Sequence, residues 1–292
     1  MTSTRMTDTG FVSSTMPKQP IQLSKNNILQ LKPYLDSVVE LVEVPEYIDS
    51  DPIQFMHAFE EKTDQEIAGF FAAIMAWGRR DIVIAKVEDL LRRMEYRPAF
   101  FVQNFGESDL PHLDGFKHRT FKPVDIYWLI KALQSALKQF GDFEGFWADC
   151  YQQSLVEKRE LMAVFHQRLF AFHPETPQRS RKHIANPEKN SSAKRLYMYL
   201  RWCVRRSEVD LGIMSFIPLS ELKIPLDVHV ARQSRALGLL SRKQNDWKSV
   251  LELHENLVLL DPDDPAKYDY ALFGLGIRSD LVREEFYVNE ID

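Results

Sequence analysis

The chain has 292 residues, 45% of them hydrophobic, and a formal net charge of −5, enough to bury a sizeable core as one large or two modest subdomains. No run of about 18 apolar residues occurs, which argues against a membrane-spanning helix. Two cysteines, Cys150 and Cys203, cannot build a disulfide framework, a four-cysteine iron–sulfur site or a zinc knuckle, so no metal or cofactor is expected and a reducing, cytoplasmic compartment is.

The first 25 residues are polar, without the apolar stretch of a signal peptide; they are expected to form a disordered tail, with a helical domain over 26–292. A short helix over 33–43 follows, with Pro33 suited to its first turn and Leu35, Val38, Val39 and Val42 forming a core stripe. Thr63 and Glu66 have capping-box spacing and open a helix that runs to Trp77, with Ile67, Phe70, Phe71, Ile74 and Met75 on one face; Gly78 stops it. Asp81 suits the N-cap of the next helix, whose inward face is Val83, Val87, Leu90, Leu91 and Met94. Arg97 to Thr120 reads as a loop, Asp125 to Phe140 as a helix, Leu155 to Phe172 as another. Pro174, Pro177 and Pro187 make 173–193 a loop. Helices follow at about 194–206, 228–238, 246–260 and 265–277. No segment alternates with period two for long, and few glycines amid Ala-, Leu-, Lys-, Glu- and Arg-rich stretches agree with an all-α fold.

Charge is uneven. Between Thr176 and Arg206 stand nine cations (Arg179, Arg181, Lys182, Lys189, Lys194, Arg195, Arg201, Arg205 and Arg206) and one acid, Glu188. A basic stripe on an acidic body grips phosphates locally while the protein stays soluble; a solvated charged loop gives the same count.

Two short stretches carry chemistry. In Pro225-Leu226-Asp227-Val228-His229-Val230-Ala231-Arg232, proline keeps the preceding residue extended, so a helix begins at Val228 with Asp227 as N-cap. A carboxylate there is either a cap alone or an ionised group facing a cleft, able to accept a proton or oppose a developing cation. In Asn190-Ser191-Ser192-Ala193-Lys194-Arg195, small polar residues precede a helix and offer backbone N–H groups to an anion. Lys194 falls in the first turn, where the helix dipole and Arg195 both disfavour an ammonium, which suits a nucleophilic amine; a plain solvated lysine is the alternative.

A Pro-x-Asp-x-His motif opening a helix, downstream of a lysine at a helix start, resembles the helix-hairpin-helix DNA glycosylase superfamily. Asp227-Val228-His229-Val230 is similar to the 8-oxoguanine glycosylases, and the 33-residue step from Lys194 to Asp227 resembles their archaeal branch; the chain as a whole also resembles an uncharacterised bacterial family akin to them. The resemblance spans roughly residues 60–280 and implies a two-lobed helical bundle with a cleft between the lobes, acting as a monomer on double-stranded DNA with a damaged, oxidised base or an abasic site. It implies that Lys194 attacks C1′ with Asp227 assisting, and that the extruded base enters a pocket with Met198 on one face and Phe273, of Ala271-Leu272-Phe273-Gly274, on the other, Asp269 and His229 nearby. Trp77-Gly78-Arg79-Arg80-Asp81 falls where the family wedges a helix-to-helix turn into the duplex, and Gly115-Phe116-Lys117-His118-Arg119 looks like its Gly-Tyr-Arg segment. DNA contacts are thus expected from Arg79, Arg80, Arg119, Lys189, Ser191, Ser192 and Arg195. The family hairpin usually reads Gly-x-Gly, whereas residues 186–193 contain no glycine; Val209 to Ile224 also form a longer connection than most members have, so Lys189 or Lys182 stand as alternative nucleophiles. A catalytically inactive nucleic-acid-binding protein, or a helical protein acting on RNA, are the competing classes.

Overall fold

The structure, a computed structural model, describes residues 21–290 and is all-α. Among these residues there is no strand, and the isolated bridges are His118 with Phe121 and Arg206 with Leu211. The chain opens with α1 (Lys25–Gln30), α2 (Lys32–Val42) and a 3-10 turn at Pro45–Ser50, then α3 (Gln54–His57), α4 (Lys62–Met75) and α5 (Arg80–Arg93). Next come α6 (Pro98–Asn104), α7 (Leu110–Leu113), α8 (Pro123–Phe140), α9 (Phe143–Glu157) and α10 (Leu161–Ala171). After α11 (Gln178–Arg181) follow α12 (Lys194–Val204), α13 (Val228–Ala236), α14 (Trp247–Leu260) and α15 (Tyr268–Ile277). No described helix is long and apolar enough to cross a membrane.

The two ends of the chain fold together: α15 packs on α2 and α13, and α1 on α14. The middle of the chain gathers around α4, which touches α3, α5, α6, α9 and α12. Gly274 permits the close approach of α15 to α2, since a Cβ there would lie 2.5 Å from Val42 Cγ2. One continuous apolar core runs through both groups. Its densest part is aromatic: Phe70, Phe143, Phe146, Trp147, Phe165 and Tyr199 are all at or below 2% exposure, and Trp147 stacks on Phe165 with ring centroids 3.8 Å apart. Truncating one such ring typically costs about 3–5 kcal/mol. The spacing of these residues on α4, α9, α10 and α12 therefore fixes how the helices meet.

Several expectations change. Of the tail expected over 1–25, residues 1–20 lie outside the described residues; Ile21 and Leu23 are tied to the far end of the chain, donating N–H bonds to Asn289 Oδ1 (2.8 Å) and the Gly238 carbonyl (3.0 Å). The helix expected over 155–172 is two helices, α9 and α10, broken where Lys158 takes a left-handed conformation (φ 53°). The presumed loops over 97–120 and 173–193 contain α6, α7, α11 and a 3-10 turn at Pro187–Lys189. Asp81 is not the N-cap of α5 but lies in its first turn, with Arg79 at the cap.

The Thr63–Glu66 capping box does not form: α4 starts at Lys62 without a side-chain cap. Glu66 is fully buried and accepts the N–H groups of Phe143 (3.1 Å) and Glu144 (3.1 Å), so it caps α9 instead. A carboxylate satisfying orphan donors of another helix is a long-range contact that local spacing does not disclose. Burial pushes the Glu66 carboxyl from 4.5 to about 7 against the pull of those donors and Lys62. The folded chain thus holds this proton more tightly than the unfolded one. The corresponding stability is full below the ordinary glutamate range and is lost as pH rises through about 7. Melting from about pH 5 to pH 8 should show wild type losing stability relative to Glu66→Gln, by at most about 3 kcal/mol. Parallel profiles for the two proteins would mean that Glu66 ionises as an ordinary glutamate.

Candidate active site

The site is built on α12. Before it, the chain leaves the 3-10 turn at Pro187–Lys189 and reverses through Asn190 (φ 61°) and Ala193 (φ 50°), both left-handed. Glycine usually serves at such positions. Here Asn190 tolerates the conformation, Ala193 is held by burial at 1% exposure, and Ser191 Oγ accepts the Ala193 N–H at 3.2 Å. The glycine-free hairpin therefore still turns sharply, and Lys194 is the first residue of α12. Lys194, Met198 and Arg201 recur at i, i+4 and i+7 and share one face.

That face forms one wall of a cleft of about 190 Å³. Opposite lies Pro225 with Asp227, whose Oδ1 accepts the Val230 N–H at 2.8 Å as N-cap of α13. Capping occupies one carboxylate oxygen; among the described residues no hydrogen bond is made to the other. Asp269 and Phe273 from α15 form a third wall, and Tyr47 with Asp51, at the end of the first 3-10 turn, a fourth. Arg80 and Gly78 close the rim. Gly78 has φ 115°, so the turn between α4 and α5 requires glycine; a Cβ there would also lie 2.6 Å from Arg119 Nη1, the mobile end of a long side chain.

Beneath the cleft is a charged network. Arg201, 3% exposed, donates to Asp269 Oδ2 and Asp210 Oδ1 (3.3 Å) and to Tyr270 Oη (3.0 Å), which in turn donates to Asp210 (2.7 Å). One turn on, Arg205 donates to Glu43, to Asp210 at 2.9 Å and to Asp264 at 2.7 Å. Burial, helped by the like charges of Asp227 and Asp210, pushes the Asp269 carboxyl up to about 7 despite Arg201. Asp51 is raised in the same direction, chiefly by burial, with Arg80 opposing, and accepts a hydrogen bond from Tyr47 Oη at 3.1 Å. The cleft thus places a carboxyl raised to about 7, that of Asp269, in the same space as the Asp227 carboxyl and the Lys194 amino group.

Lys194, Asp227, Met198, Phe273 and Asp269 come together in this cleft, with Met198 and Phe273 half-buried. His229 does not line it: its Nδ1 lies 3.1 Å from the Gly276 carbonyl and its ring meets Phe273 edge-on at 5.7 Å, which props Phe273 from behind. The two arginines of the α4–α5 turn divide. Arg79 is exposed and pairs with Asp81 (2.6 Å), whereas Arg80 turns into the cleft, 5.5 Å over the Phe273 ring and 3.8 Å from Asp51. Arg119 lies 4.3 Å over the ring of Trp77, and Lys189 is exposed on its 3-10 turn. Ser191 and Ser192 are half-buried beside the hairpin.

The basic stripe is not one surface. Arg201 and Arg205 are buried ion-pair anchors: Asp210, close by in sequence, pairs with both, and Asp269, Glu43 and Asp264 are brought in from distant segments. Arg179 pairs with the buried Asp125, and Arg181 donates to the carbonyls of Thr176 (2.9 Å) and Pro174 (2.6 Å). Arg195 also turns inward, donating to the carbonyls of Ile74 and His183. Tyr47 and Asp51 line the cleft without having been singled out from the sequence, and Arg201, named there only as part of the basic stripe, lines it too. Arg201 was legible as i+7 from Lys194, whereas no local pattern marks Tyr47 or Asp51.

Neither a curated protein nor a solved structure matches the chain. One family does match, over residues 51–278, a stretch that contains every wall of the cleft except Tyr47. By that match the chain belongs to the family described as protein of unknown function, DUF2400.

Proposed function

We propose that the chain is a DNA N-glycosylase with associated abasic-site lyase activity, of the two-lobed helix-hairpin-helix type, acting on a damaged, oxidised base in double-stranded DNA. The observation that carries this reading is the convergence of Lys194 and Asp227, from two helix starts 33 residues apart, in one cleft walled by Met198 and Phe273. The cleft lies where the terminal helices meet the middle of the chain, as expected of a site between two lobes.

Neither C1′ nor the face of a base is accessible inside a stacked duplex, so the nucleotide must be extruded. The thioether of Met198 and the ring of Phe273 suit its two faces. Lys194 Nζ attacks C1′ and the N-glycosidic bond breaks; its electron pair leaves with the base, which takes up a proton. A carboxyl raised to about 7, as at Asp269, is a suitable donor, while Asp227 opposes the positive charge developing at C1′ and accepts the proton that the attacking amine sheds. Ring opening gives an imine between Lys194 and C1′, and loss of a C2′ proton then expels the 3′ phosphate by β-elimination.

Duplexes each carrying one oxidised base or one abasic site test this directly: free base and a nicked strand should appear together from the first, and a nicked strand from the second. Binding without release from any of them would favour the catalytically inactive reading. The turn before α5 gives a separate outcome. Arg80→Ala should lower activity on duplex and single-stranded substrate alike, because the side chain faces the cleft, while Arg79→Ala, already paired with Asp81 at the surface, should change either by less than about threefold. A loss confined to duplex would instead make this turn the wedge that holds the strands apart.

A further inference from the structure

A second recess adjoins the cleft. It is about 370 Å³, walled by Trp77, Thr120, Lys182 and His183, and it shares Lys194 and Arg195 with the cleft. Its walls include three cations and no carboxylate. Asp125 lies 3.5 Å from His183 Nε2 outside the lining and is already engaged by Arg179, Ser180 and the Lys122 N–H.

Arg195 is the informative residue. Arg201 and Arg205, the other inward-facing arginines of this helix and its end, each meet at least two carboxylates. Arg195 meets only two carbonyl oxygens, those of Ile74 and His183, and among the described residues no carboxylate pairs with it. Burial alone, with no acid to offset it, pushes its guanidinium down to about 10. A guanidinium taken out of water without a counter-charge is costly, and an anion that completes it binds with corresponding strength. Lys182 and Lys194, also without a carboxylate partner among the described residues, border the same space. The hairpin contributes less than a glycine hairpin would, since the Ala193 N–H is taken by Ser191.

We propose that this recess is a phosphodiester subsite that holds, on Arg195 and Lys182, the backbone phosphate flanking the nucleotide whose base enters the cleft. The assignment rests on the DNA reading above and adds where the strand is gripped. Lys194 lies on the border of the two spaces, which is where the sugar linking that base to that phosphate must pass. Arg195 spends one N–H of Nη1 and one of Nη2 on the Ile74 and His183 carbonyls, and its remaining N–H donors are left for phosphate oxygens.

The test is binding of the full chain to a duplex with a tetrahydrofuran abasic analogue, each flanking phosphate replaced in turn by a neutral methylphosphonate. One replacement should weaken wild type by about tenfold or more. Arg195→Met and Lys182→Gln should weaken the unmodified duplex, and the same replacement should then cost each variant clearly less than it costs wild type, and the double variant less than about twofold. Losses that simply multiply, or no effect of either methylphosphonate, would overturn the subsite. Lys182 is exposed, so its variant keeps the cycle readable if Arg195→Met does not fold. At matched ionic strength, inorganic phosphate should compete no better than chloride; displacement by micromolar phosphate would make the recess a free-phosphate site and overturn the diester assignment. The analogue needs no chemistry, so a protein that traps no adduct can still pass. One that traps an adduct yet shows multiplying losses keeps the glycosylase reading and loses this subsite.

Discussion

Lys194→Gln should abolish borohydride-trapped adduct with an abasic duplex, a loss of at least about 10³-fold, while the protein still binds that duplex. The reason is chemical: borohydride traps only an imine, and an amide nitrogen forms none. Lys194 is half-buried at the first position of α12, and among the described residues no carboxylate pairs with it, so glutamine there should alter stability by no more than about 0.5 kcal/mol. A retained fold with lost trapping separates the nucleophile from a structural lysine. Undiminished adduct in the variant would move the nucleophile elsewhere.

Asp227→Asn should lower turnover by about 10² or more with affinity intact. Asparagine caps helices as well as aspartate does, and Asp227 spends only Oδ1 on the Val230 N–H. The cap therefore survives the substitution while the negative charge facing C1′ does not, and melting should shift by less than about 1 kcal/mol. Melting and single-turnover rate measured on one preparation distinguish the two roles. Full activity with a lowered melting point would leave Asp227 as a cap alone.

Much of this was legible in the sequence where the signal is local. The stripe Val83, Val87, Leu90, Leu91 and Met94 is buried as its spacing requires, because a helix face is set by the residues that form it. Lys194 and Asp227 were placed by helix starts, which leave marks in sequence, whereas Met198 was placed by the family resemblance, four residues after Lys194. Helix α9 left a weaker mark: Phe143, Phe146, Trp147, Cys150, Tyr151 and Ser154 are buried, yet Gly145 interrupts its first turn. There Asp142 accepts the Gly145 N–H at 2.7 Å, and a Cβ on residue 145 would lie 2.8 Å from the Phe140 carbonyl. What could not be read were pairings between distant segments. Glu66 caps a helix 77 residues away, and Arg205 meets Glu43 across 162. Such contacts turned a run of basic residues from one presumed surface into anchors, carbonyl partners and a small set of cations left for an anion.

The most direct measurement is peptide mapping of the borohydride-reduced adduct formed by the wild-type chain on an abasic duplex. The account predicts the sugar remnant on Lys194 and nowhere else. Its attachment to Lys182 or Lys189, or the absence of any adduct from a protein that binds the same duplex, would contradict it.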